Sequence, residues 1–118
     1  MKRLIIDDKR TFEFYPDDVT VHARTQFEGM EYIMNETWDE VWFDHDLGDN
    51  KVTGEYETTR PIVFALEEDP SLARGIGSIV IQSANPVGAV WIKQGLMTHW
   101  PVRMANRKDM SFLVGDDD

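Results

Sequence analysis

The chain contains no cysteine, so neither a disulfide framework nor a thiolate nucleophile or metal ligand is available. No apolar run is long enough to span a bilayer. The opening MKRLIIDD carries basic residues but no long apolar segment behind them, unlike a secretory leader. These absences fit a cytoplasmic protein with no membrane partner. Basic residues are also scarce: 12 Lys and Arg stand against 22 Asp and Glu, for a net charge of -10. That charge repels nucleic acid and anionic membrane surfaces in bulk. It leaves small ligands, metal cations and basic protein partners.

What is present suits one packed domain. The chain has 118 residues and a hydrophobic fraction of 42%, enough for one core and too much for a disordered chain. No repeat or linker divides it. Residues 1–114 are expected to form the domain, and 115–118 an acidic, solvated tail.

Short apolar runs alternate with helical patterns. Strands are expected at Arg3–Asp8, Val19–Ala23, Glu40–Phe43, Ser78–Gln82 and Pro101–Ala105. Helices are expected from Thr25 to about Glu36, over Arg60–Glu68, and from Asn85 to about His99. Thr25 with Glu28 has the spacing of a capping box. Thr59 or Thr58 is read as the cap of the second helix, and Pro61 suits its first turn, where a missing N–H costs nothing. The buried stripes are read as Phe27, Met30, Ile33 and Met34 in the first helix, and Ile62, Phe64, Ala65 and Leu66 in the second. Lys9–Asp18 and Gly48–Thr58 read as loops, and Ser111–Val114 as a short turn packing back. Near-continuous apolar strands between helices indicate a parallel sheet covered by helices on both faces. The expected fold class is α/β: a single doubly wound domain with a five-stranded parallel sheet of order 2-1-3-4-5.

In such a sheet, ligands bind past the carboxyl ends of the strands, where the strand order reverses. The strand ends here are polar. The first runs into Asp7 and Asp8, the third into Asp44, His45 and Asp46, and the fourth into Ser83 and Asn85. Carboxylates brought that close must share a cation or retain a proton. Oxygen ligands favour Mg²⁺, Mn²⁺ or Ca²⁺, and an imidazole among them tilts the choice toward Mn²⁺. Ser83 and the amides after Asn85 could grip an anion. Each residue also has a plainer role open to it. Asp7 and Asp8 could cap a turn, His45 could be a satisfied buried histidine, Gly48 could supply a positive φ, and Asn85 could be only a helix cap.

LIIDDKR, VWFDHDLGD and IVIQSANPVG together resemble the cyclic-phosphate-processing receiver family, diverged relatives of response-regulator receivers. The likeness spans about residues 2–105. It implies a receiver fold and a role in handling small cyclic phosphates derived from nucleotides or ADP-ribose. By position, Asp7 and Asp8 resemble the metal-binding acidic pair. Asp44 takes the place of the phosphoacceptor, His45 and Asp46 continue the DHD string, Ser83 stands where receivers keep a phosphate-contacting hydroxyl, and Asn85 matches the family's Asn. Two positions depart: Gln82 stands where relatives often have His, and Asn106, Arg107 and Lys108 offer no clear equivalent of the receiver's fifth-strand Lys.

The expected function is a metal-dependent phosphoesterase acting on a small cyclic phosphate. Asp7, Asp8 and Asp44 would hold a divalent cation (Mg²⁺ or Mn²⁺), His45 would serve as general acid or base oriented by Asp46, and Ser83 and Asn85 would bind the phosphate. Two alternatives stand beside it. One is a phosphoacceptor switch at Asp44. The other is a non-catalytic acidic protein, such as a phage-type inhibitor, binding a basic protein partner through Trp38, Trp42, Trp91 or Trp100.

Overall fold

A computed structural model describes residues 1–13 and 18–115. The tail residues Asp116–118, and the part of the expected Lys9–Asp18 loop that contains Pro16, lie outside the described residues.

Five strands build the central sheet: β1 (Lys2–Ile6), β3 (Val19–Ala23), β4 (Trp38–Phe43), β7 (Ile76–Ile81) and β8 (Val102–Met104). Their order is β3-β1-β4-β7-β8 and every pair is parallel, so the expected 2-1-3-4-5 order is the one observed. β1, β4 and β7 end in runs that are buried on both faces, as central strands of a covered parallel sheet must be.

Three helices cover one face: α1 (Gln26–Asn35), α2 (Arg60–Glu68) and α3 (Pro86–Leu96). Ile33, Ile62, Val63, Leu66, Ala89, Ile92 and Leu96 pack there against Leu4, Ile6, Val41, Phe43, Ile79 and Ile81. Burying each such side chain contributes roughly 1.5–3 kcal/mol. The expected stripes are partly out of phase. Phe27 and Met34 of α1 and Phe64 of α2 are exposed, while Gly29 and Val63 are buried. Gly29 explains α1. A Cβ there would lie 3.0 Å from the Ile6 side chain and 3.1 Å from that of Ile62, so the helix docks through its backbone rather than through Phe27.

The second face carries a smaller cluster of Ile5, Trp42 and Val80 under Phe12, Ala105 and Leu113. Among the described residues, no helix lies between β1 and β3. Two segments read as loop and turn instead pair antiparallel, β2 (Arg10–Phe12) with β9 (Leu113–Gly115). Phe12 sets its ring edge-on against Trp42, centroids 5.1 Å apart. Between β8 and β9 lies α4 (Arg107–Met110), a single turn with a complete capping box between Asn106 and Asp109.

Gly48–Thr58 is also more ordered than a plain loop. β5 (Asp46–Asp49) and β6 (Tyr56–Thr58) form a hairpin with a register shift between Asp46 and Gly48. Gly48 has φ +69°, the left-handed conformation expected of it. Among the described residues, no helix is long and apolar enough to cross a membrane.

Candidate metal and phosphate site

The strand ends meet because of register. Ile6 of β1 pairs with Phe43 of β4, and Phe43 with Ile81 of β7. The next residues continue the row: Asp44 N–H donates to the Ile6 carbonyl (3.0 Å) and Gln82 N–H to the Phe43 carbonyl (3.0 Å). Side chains alternate along a strand. Asp7, Asp44 and Gln82 therefore follow Ile5, Trp42 and Val80 onto one face, the same face at the carboxyl edge of three adjacent strands.

One carboxylate oxygen from each of Asp7, Asp8 and Asp44 lies within 4.8 Å of the others. Asp7 is 2% exposed. Its Oδ1 accepts from the amides of Lys9 (2.7 Å) and Arg10 (2.9 Å), while its buried Oδ2 has no partner. Asp44 accepts from the His45 amide (2.8 Å) and from the Ser83 hydroxyl. Burial and the nearby Asp7 carboxylate push the Asp44 carboxyl up to about 7. Burial and Asp7 likewise raise Asp8. Gly48 makes room for Asp8: a Cβ at Gly48 would stand 2.9 Å from Asp8 Oδ2. The set fits a hard divalent cation. It offers oxygens only, one of them buried and orphaned, and Asp44 and Asp8 resist ionising without positive charge.

His45 lies beside this triad and is tied on both sides. Its ring Nδ1 is 3.1 Å from Asp46 Oδ1, and Nε2 accepts from Arg60 Nε–H (2.9 Å). Arg60 stacks on Trp91, 4.5 Å from the ring centroid. Asp46 in turn accepts from Asn85 Nδ2 (3.2 Å) and from the Tyr56 hydroxyl. These hydrogen bonds hold the Asp46 carboxyl below its ordinary range against the opposing effect of burial. Asn85 does two jobs, since its Oδ1 also caps α3 at the Gly88 amide (3.0 Å). Ser83 Oγ accepts from the Asn85 amide (3.0 Å). The expected residues thus form two linked groups, a carboxylate triad with Ser83 and a His45–Asp46–Asn85 chain beside it.

Several neighbours were not placed at the site by their sequence pattern. Thr59 is fully buried and, instead of capping α2 with its side chain, donates Oγ1–H to the Asp44 carbonyl (2.7 Å). Gly88 is required by His45, because a Cβ would lie 2.4 Å from the ring. Beyond Asp8 opens a cavity of about 500 Å³ between β1, α1 and the β5–β6 hairpin, lined among others by Lys9, Arg24, Leu47, Lys51 and Glu57.

The profile of the cyclic-phosphate processing receiver domain matches residues 2–98. The chain belongs to this family. The matched span holds the acidic triad, the His45 chain, Gln82, Ser83 and Asn85. No curated protein matches the sequence.

Proposed function

We propose that this receiver-family domain is a metal-dependent phosphoesterase that opens a small cyclic phosphate. The observation carrying the proposal is the triad: three carboxylates share one spot, and the most buried of them keeps an unpartnered oxygen. Asp7, Asp8 and Asp44 would hold Mg²⁺ or Mn²⁺. A divalent ion there supplies polarisation of a phosphoryl oxygen. Ser83 donates its hydroxyl to the Asp44 carboxyl and would turn it toward a phosphate bound at the triad. Water attacks phosphorus, one ring P–O ester bond breaks, and the proton lost by the water ends on the departing alkoxide. The product is a phosphomonoester.

His45 acts first as a positioning residue. With Nδ1 toward Asp46 and Nε2 taken by Arg60, it fixes the loop after β4. Acid–base work by His45 requires Arg60 to release Nε2, and an anionic substrate gives that guanidinium a competing partner. The cavity beside Asp8 is within the size range of small-ligand sites and suits the body of a nucleotide-sized substrate.

Two observations weigh against the alternatives. Ala105, whose amide donates to the Ile81 carbonyl (2.7 Å), occupies the fifth-strand end where a switch would need its Lys. Trp38 and Trp42 are core residues and offer no docking surface to a basic partner.

The test is incubation with 2′,3′-cyclic nucleotides and Mn²⁺ or Mg²⁺, followed by phosphorus NMR. Ring opening by the native protein that is lost in Asp44→Ala supports the proposal. Turnover no greater than that of Asp44→Ala rejects it.

A further inference from the structure

Among the described residues, the buried side-chain atoms left without a hydrogen-bond partner are Asp7 Oδ2, Gln82 Nε2 and Gln82 Oε1. They belong to one row. Asp7, Asp44 and Gln82 are consecutive across β1, β4 and β7, one step past the last paired residues and on one face. Gln82 is 3% exposed. A buried carboxamide with no partner is destabilising, so an unmet donor and acceptor at a strand end need an explanation. Chance placement in the core does not supply one, because the neighbours along the row are Asp44 and Asp7 of the carboxylate triad.

From the sequence, Gln82 reads as the loss of an acid or base. The structure assigns it a different task. We propose that Gln82 is a ligand-contacting residue that completes the triad's site, its Nε2–H donating to a phosphoryl oxygen of a phosphate held at Asp7, Asp8 and Asp44. A neutral carboxamide suits that place. It donates to an anion without adding negative charge beside three carboxylates, and it needs no proton exchange. The ligand class is a phosphate ester or inorganic phosphate bound together with a divalent cation. The inference rests on the cation and phosphate site proposed above, and not on turnover there.

Calorimetry with inorganic phosphate as probe, at saturating Mn²⁺, tests it on native protein, Gln82→Met and Gln82→Glu. Methionine keeps the volume and removes the unmet polar atoms, so Gln82→Met is expected to melt no lower than native protein. Its phosphate affinity should fall about tenfold or more, the weight of one hydrogen bond to a charged group. Its Mn²⁺ affinity should stay within about threefold, since the triad is intact. Phosphate affinity within about twofold of native in Gln82→Met overturns the proposal, as does native protein that binds Mn²⁺ but no phosphate. If Gln82→Met does not fold, Gln82→Glu decides: a loss of about tenfold or more supports the contact, and unchanged affinity overturns it. A native protein that opens no cyclic phosphate yet loses phosphate binding in Gln82→Met refutes the hydrolase and leaves this contact standing.

Discussion

Asp44 stands beside Asp7 because β4 runs next to β1 with Phe43 opposite Ile6. Neither residue is near the other in sequence, and neither has a side-chain reason to be buried. Their juxtaposition is set by the apolar strands that precede them. Those strands fix which carboxylates meet, and burial then keeps the Asp44 carboxyl from ionising without positive charge nearby.

The first consequence is a stability that depends on pH. The Asp44 carboxyl is raised to about 7 in the folded protein from an ordinary 3.8. Below the lower value both folded and unfolded chains hold the proton, and Asp44 costs nothing. As pH rises between the two, the unfolded chain ionises first, and stability falls until the folded carboxyl ionises too. Without added metal, Asp44→Asn should therefore be more stable than native protein above pH 7, by on the order of a few kcal/mol, with the advantage vanishing below about pH 4. Urea unfolding across that pH range checks it. An Asn variant less stable than native protein at pH 8 speaks against a strained carboxylate cluster.

Gly88→Ala should destabilise the domain by about 1–3 kcal/mol, because the new methyl meets the buried His45 ring wedged between Asp46 and Arg60. Elsewhere on an exposed helix this substitution stabilises. Chemical denaturation measures the sign, and a gain in stability would show that the ring is free to move.

The two linked groups separate by mutation. His45→Ala should lower the melting temperature, since it leaves Arg60 and Asp46 without their shared partner, but keep Mn²⁺ affinity within about tenfold. Asp44→Ala should abolish Mn²⁺ binding. Equal losses in the two variants would mean that the imidazole is itself a ligand.

The cavity past Asp8 makes a claim about substrate size. Lys51→Glu, at an exposed position on its rim, should leave folding unchanged and raise KM for a cyclic nucleotide about threefold or more, with kcat nearly unaffected. A kcat effect with unchanged KM would place the substrate body elsewhere.

Much of this site was readable in the sequence because polar residues stopping an apolar strand mark its end. Asp7, Asp44 and Ser83 announce themselves that way, and the alternation of strands and helices fixes the edge they share. The sheet order and the helix span Arg60–Glu68 were legible for the same reason. What escaped depended on tertiary contact. The β2–β9 ribbon joins segments from the two ends of the domain, each too short to show a period. The α1 stripe was misplaced because Gly29 counts as polar-neutral in a pattern but serves as the contact in the packing. Thr59 looked like a helix cap, and only the fold shows its hydroxyl on the Asp44 carbonyl. Gln82 looked like a deletion of chemistry until its row in the sheet was visible.

The central claim is that Asp7, Asp8 and Asp44 form one cation site. Calorimetric titration of the native protein with Mn²⁺ at pH 8, repeated on Asp44→Asn, tests it most directly. One ion per chain is expected, with binding lost in the variant although the variant is folded. No saturable binding in the native protein, or the same binding in both, would contradict it.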